Sequence, residues 1–151
     1  MKRVNIVIDN PSSWFVRKVD NLIKKIKSFG FDCELLSGSE FIPENSYITF
    51  FLSCEKFINQ KARDKSEFNI VIHASDLPKG RGMSPATWQI LEGKNRIWIT
   101  LFEVTDKIDA GDYYFKKSFL LNGTELIDEW QEKIYQCIEK ITLEFIKKHQ
   151  R

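Results

Sequence analysis

The chain has 151 residues, 42% hydrophobic and 13% aromatic, a composition that excludes a disordered chain and suits one domain around a single core. With 23 basic against 21 acidic residues the net charge is +2, too balanced for a concentrated basic face, so wholesale nucleic-acid binding is not expected. Three scattered cysteines, Cys33, Cys54 and Cys137, and only two histidines form no CxxC or Cys/His cluster, so no metal site is expected and the thiols read as free.

Residues 4–8 (Val-Asn-Ile-Val-Ile) are rich in β-branched side chains and predict a first strand. The turn Asp9-Asn10-Pro11-Ser12-Ser13 follows, with Ser12 or Ser13 as N-cap of a helix over residues 14–29. Val16, Val19, Ile23 and Ile26 recur at helical spacing, Lys18, Lys24, Lys25 and Lys27 read as a solvated face, and Gly30 stops the helix. Residues 31–36 predict a second strand, closed by Ser37-Gly38-Ser39. Residues 47–52 predict a third, whose unbroken apolar run suits a strand covered on both faces. A short polar helix through about Lys65 leads to a fourth strand over residues 68–72. His73 stands at its end, before a turn rich in glycine and proline.

Past that turn, Ser84 and Pro85 predict the start of a helix over residues 85–91, ended by Gly93. Residues 97–103 alternate like a half-exposed strand, residues 106–112 form an acidic loop, and a strand follows over residues 113–119. Thr124 reads as the cap of a long last helix reaching Lys148. Its stripe of Leu126, Trp130, Ile134, Cys137, Ile138, Ile141 and Phe145 predicts packing on the sheet, with a homodimer face as the lesser option. The order strand, helix, strand, strand, helix, strand predicts an α/β fold. A single Rossmann-like, doubly wound domain with a mostly parallel sheet is expected over residues 1–151. No apolar run approaches the roughly 18 residues that a membrane span needs. Met1-Lys2-Arg3 runs into a short strand rather than a signal-peptide core, so a cytoplasmic protein without a membrane partner is expected.

Ligands of open α/β sheets settle outside the carboxyl ends of the strands, which makes His73 a candidate. A carboxylate from the acidic loop, such as Asp109, could hold the imidazole and suit it to general acid–base work near neutral pH. Taken alone, a histidine beside a turn is more often merely hydrogen-bonded. The turn at Asp9 to Ser13, ahead of a helix N-terminus, is a second candidate, for an anion.

The order of residues sharpens this. His73-Ala74-Ser75-Asp76-Leu77-Pro78-Lys79-Gly80-Arg81-Gly82 resembles the His-x-Ser-x-Leu-Pro-x-x-Arg-Gly signature of the N10-formyltetrahydrofolate-dependent formyltransferases. Ser84-Pro85, Trp88, Gly93, Thr100 and Asp109-Ala110-Gly111-Asp112 continue the likeness without a gap from His73 to Asp109. The resemblance spans roughly residues 45 to 130. It implies a formyltransferase-like fold, formyl transfer from N10-formyltetrahydrofolate to an amine, His73 as general base and Asp109 as its orienting partner. It implies folate contacts from Ser53, Cys54, Glu55, Lys56, Phe57 and Ile58, and from Asp106. Acceptor contacts would come from Asn10, Ser12, Ser75, Lys79, Arg81 and Gly82, with Arg81 able to bind a phosphate or carboxylate bidentately.

One departure is prominent. The family carries an Asn two residues before the histidine, as a donor to the formyl oxygen, and here that residue is Val71. Asn69 shares its face but lies about 6.6 Å further from His73 along the strand. Met83 also departs from the usual alanine or arginine. Together with Asp9-Asn10-Pro11-Ser12-Ser13-Trp14 and Leu52-Ser53-Cys54-Glu55-Lys56, the signature looks like that of the short formyltransferase-like proteins linked with bacterial surface sugars. Members of that group also carry an apolar residue at the Asn position. The expected acceptor is therefore an amino sugar carried on a nucleotide. A degenerate protein that binds folate or a nucleotide sugar, or a transferase acting on another amine, stands as the alternative.

Overall fold

A computed structural model of the protein describes residues 1–54, 56–73, 95–104 and 113–150, with side chains in the last segment described from residue 116. Six strands form one sheet: β1 (Arg3–Val7), β2 (Asp32–Leu36), β3 (Ser46–Leu52), β4 (Ser66–His73), β5 (Arg96–Glu103) and β6 (Tyr113–Leu120). Their order is β2-β1-β3-β4-β5-β6. The pairs β1–β2, β1–β3 and β3–β4 are parallel, whereas β4–β5 and β5–β6 are antiparallel. The expected mostly parallel sheet is thus observed: the first four strands are parallel, and β5 and β6 extend them antiparallel. The helix predicted over residues 85–91 lies outside the described residues.

Alternation along the strands divides the core in two. Ile6, Ile48, Phe50, Ile70, Ile72, Ile99 and Leu101 face one side, under helices α1 (Val19–Ser28) and α3 (Ile127–Lys148). Val7, Phe51 and Val71 face the other, with Ile42, Ile58 and Ala62 of the short helix α2 (Gln60–Arg63). Helices on both faces make β3 buried along its whole length, as its apolar run demands.

The first helix differs from its prediction. Residues Trp14–Lys18 wind as a 3-10 helix, capped by Ser13, whose Oγ accepts from the amide of Phe15, and the α-helix begins only at Val19. Phe15, Val19, Leu22 and Ile26 are buried, so the inward stripe is rotated from the expected one and Val16 and Ile23 pack at its margin. Phe15 packs 5.5 Å from the ring of Tyr135, so docking against α3 selects the face. Lys18 and Lys25 do not simply face water either: they pair with Glu132 and Glu139 of α3. The two pairs are seven residues, about two helical turns, apart on both helices.

The last helix lays Ile134, Cys137, Ile138, Ile141 and Phe145 against the sheet, as its periodicity predicts. Phe145 meets Phe50 and Phe68 edge-on. Its start is corrected. Thr124 is not the cap, and Leu126 is 71% exposed rather than part of the stripe. The helix begins at Ile127, and Glu129 reaches back to accept from the amide of Leu126 at 3.1 Å. Glu125 closes the turn before it, accepting from the amides of Asn122 and Gly123 and pairing with Lys133 at 2.6 Å. The Lys133 ammonium, then those amides, hold the Glu125 carboxyl down to about 2. A depressed native pKa contributes stability above the unfolded value, and that contribution is lost as pH falls through the folded one. Glu125→Gln should therefore flatten the acid limb of stability between about pH 4.5 and about pH 2 in pH-stepped urea melts. Above pH 5 the difference between the two proteins should be constant.

A polar row crosses the second face. Asn5 donates to Ser46 and Thr49, Thr49 shares a hydrogen bond with Ser66, and Asn69 Nδ2 donates to the carbonyl of Arg63 at 2.8 Å. Asn69 thus ties α2 to β4. Removing one partner of a buried hydrogen bond strands the other, so Asn69→Ala should lower unfolding free energy by about 1–3 kcal/mol in urea titrations. Among the described residues no helix is long and apolar enough to cross a membrane.

Candidate functional site

The carboxyl ends of β1, β3 and β4 lie side by side on one edge because these three strands are parallel neighbours. β1 runs out into Asp9 and Asn10, β3 into Ser53, and β4 ends on His73. Ser53 has φ 52, a left-handed conformation uncommon for a residue with a side chain. It turns the chain sharply away from β3. Two long-range contacts then fold the loop toward β1. Cys54 Sγ donates to the carbonyl of Val7 at 3.1 Å, and the amide of Lys56 donates to Asp9 Oδ2 at 2.8 Å. Ile58 is buried behind the loop and Phe57 stands 56% exposed on it.

Cys54 is an anchor and not a nucleophile. Burial, reinforced by the charge of Asp9, pushes its thiol up to about 12, and burial likewise lifts Cys33 to about 12 and Cys137 to about 11. The thiolate is the reactive form, so none of the three is poised for covalent chemistry at neutral pH. Among the described residues no group of histidine, cysteine and carboxylate side chains could hold a metal.

His73 is half-buried at the edge. It pairs in register with the fully buried Thr100 of β5, and its ring stands edge-on to Phe102 at 6.4 Å. Val71 shares its face and lies between its register partners Phe51 and Phe102, against the apolar cluster beneath α2. The wall two residues before the histidine is therefore apolar. Asn69, two residues further back, is 8% exposed and spends its amide nitrogen on the backbone of Arg63. It cannot stand in for a donor beside His73 without leaving that bond.

His73 and the loop Ser53, Cys54, Lys56, Phe57 and Ile58 thus come to one edge, as does the turn carrying Asn10 and Ser12. In that turn Asn10 Oδ1 accepts from the amide of Ser12 at 3.0 Å, its carbonyl accepts from Ser13, and Ser13 Oγ accepts from Phe15. Three amides that an anion could use are already engaged, and the helix that follows opens as five residues of 3-10 structure. Glu55, Ser75, Lys79, Arg81, Gly82, Asp106 and Asp109 lie outside the described residues. Asp9 as the anchor of the loop after β3 was not legible from sequence, since 47 residues separate it from Lys56.

Comparison with known proteins now bears on this edge. The family model described as formyl transferase matches residues 48–146. The chain is 34% identical over 134 residues to a methionyl-tRNA formyltransferase of Ureaplasma urealyticum serovar 10, an alignment covering 81% of this chain and 44% of that protein. It thus spans less than half the length of that curated relative. Its fold matches a methionyl-tRNA formyltransferase from Clostridium thermocellum with a TM-score of 0.75 and 22% identity, covering 100% of this chain and 67% of that one. It also matches the formyltransferase PseJ from Anoxybacillus kamchatkensis, solved in complex with UDP-4,6-dideoxy-4-formamido-L-AltNAc and tetrahydrofolate. There the TM-score is 0.67 and the identity 18%, over 95% of this chain and 74% of that one. Because the family model runs through most of the chain, from β3 across the His73 strand and into α3, this chain belongs to the formyl transferase family.

Proposed function

We propose that the chain transfers a formyl group from N10-formyltetrahydrofolate to the amine of an amino sugar, carried on a nucleotide, for bacterial surface glycans. The observation that carries this reading is the position of His73 at the carboxyl end of β4, on the same edge as the loop after β3, within a chain of the formyl transferase family. His73 Nδ1 or Nε2 would take a proton from the attacking amine as the new C–N bond forms, and return it to the departing folate nitrogen. Asp109 would orient the imidazole from the acidic loop. The backbone turned outward at Ser53, with the apolar wall of Val71 and Phe102 beyond it, suits a flat heteroaromatic donor. Folate supplies the activated formyl carbon; the chain supplies the base, the orientation and a partly dry wall.

Val71 favours a second reading, a family member that binds folate or a nucleotide sugar without turnover. An oxyanion donor typically contributes about 100- to 1000-fold in rate, and none is offered by the side chain at that position. Both readings are tested by titrating the chain with tetrahydrofolate and assaying formyl transfer to a panel of nucleotide-linked amino sugars. Binding with turnover is the expected result. Binding without turnover would select the second reading, and neither would overturn both.

A further inference from the structure

The ladders on the two sides of β3 end at Phe51 and Leu52. Ser53, with φ 52, then swings the chain off the sheet. The loop that follows is held at both of its ends. Upstream, Cys54 Sγ donates to the carbonyl of Val7 at 3.1 Å. Downstream, Ile58 is buried beside Val7 and Phe51, and its carbonyl accepts from the buried Arg63 guanidinium at 2.7 Å. Asn59 then caps α2, accepting from the amide of Ala62 at 2.9 Å.

The middle of the loop is reached from β1. Asp9, two residues past the end of that strand, accepts from the amide of Lys56 at 2.8 Å through Oδ2. Its side-chain oxygen takes the place that a strand carbonyl would hold in a continued ladder. A carboxylate acceptor makes this bond stronger than one from amide to carbonyl. Asp9 supports the upstream end as well. Burial, then the Asp9 charge, pushes the Cys54 thiol up to about 12, so the sulfur keeps the hydrogen that it donates to Val7. The side chains of Lys56 and Phe57 stand exposed and take no part in these anchors. A loop ordered only on binding weakens the complex by the cost of that ordering, and a loop already held does not.

We propose that Asp9 is a positioning residue for the folate donor: without touching it, the carboxylate preorganises the backbone of the loop after β3 that receives it. The proposal rests on the formyl-transfer reading, in which that loop faces the donor. It gives the end of β1 a part in donor affinity, exerted through the Lys56 amide and not by contact.

Isothermal titration of the full chain with tetrahydrofolate tests it in the parent, Asp9→Ala and Asp9→Asn, beside amide hydrogen exchange of the ligand-free proteins. Asp9→Ala should weaken tetrahydrofolate binding about tenfold, the usual scale of a hydrogen bond to a charged group. The same variant should speed exchange at the Lys56 amide. Asp9→Asn keeps an acceptor of nearly the same shape and should stay within about threefold of the parent in both readouts, a neutral acceptor being weaker than a charged one. Its urea midpoint should match the parent, so a folding defect confined to the alanine variant leaves the comparison intact. In formyl-transfer assays the loss should appear in KM for N10-formyltetrahydrofolate with kcat little changed, as for an interaction made equally in ground and transition states. Equal affinity of Asp9→Ala and the parent would overturn the positioning role and leave the formyl-transfer reading standing. Asp9→Asn losing as much affinity as Asp9→Ala, with Lys56 exchange unchanged, would overturn it too, because the charge would then be meeting the ligand itself. A parent that does not bind tetrahydrofolate would overturn the formyl-transfer reading and this role with it.

Discussion

His73→Ala should lower formyl transfer by about 100- to 10,000-fold, the range over which a positioned general base contributes, while folate affinity and the urea midpoint stay close to the parent. The separation follows from where the residue sits. His73 is half-buried at the last position of β4, and its ring stands edge-on to Phe102. The packing that holds β4 comes from Ile70 and Ile72 on one face and Val71 on the other. A truncation at the strand's end therefore removes little of the core, and the expected stability change is within about 0.5–1 kcal/mol. Stopped assays with the preferred amino-sugar acceptor, run beside a urea titration, check both halves. Turnover retained in this variant would take His73 out of the mechanism.

Val71→Asn should move activity and stability in opposite directions. An amide at this position puts a donor on the face and strand of His73, and a preorganised oxyanion donor is worth about 100- to 1000-fold in kcat. The same amide would enter an apolar wall, between register partners Phe51 and Phe102, where burying a polar group with incomplete hydrogen bonding costs about 1–3 kcal/mol. A rise in kcat with a lowered urea midpoint is the expected pair of results. Lost stability with unchanged kcat would mean that the parent already stabilises the oxyanion from another group. In that case the valine is a settled feature of the site and not a missing part.

The position of Val71 also explains why its neighbour cannot compensate. Asn69 has the right chemistry and the right face, yet its nitrogen is drawn away to the Arg63 carbonyl at the end of α2. Side-chain type and strand parity were both legible; the competing bond was not, because it depends on how α2 closes onto the sheet.

Much of the architecture could be read directly from residue order. The β-branched and apolar runs marked every strand. The spacing of Ile134, Cys137, Ile138, Ile141 and Phe145 identified the face of α3 that the sheet covers. The run from His73 through Asp109 named the family, which the match over residues 48–146 bears out. These are local properties, since strand alternation, helical period and motif order are all carried by nearby residues.

The tertiary structure decided what depends on partners far away in the chain. It turned the first helix so that Phe15 and Leu22 face inward, and paired Lys18 and Lys25 with carboxylates 114 residues on. It moved the cap of α3 from Thr124 to the reach of Glu129, and laid β5 and β6 antiparallel. It tied Cys54 and Lys56 to the end of β1. The sequence by itself determined, among the described residues, which segments become strands and where the two long helices run, which family they build and that a histidine ends the fourth strand. Which groups surround that histidine, and which polar side chains are already spent elsewhere, followed only from the packing. Hydrogen bonds and ion pairs between distant segments are chosen by competition in the folded core, and a one-dimensional pattern does not contain that competition.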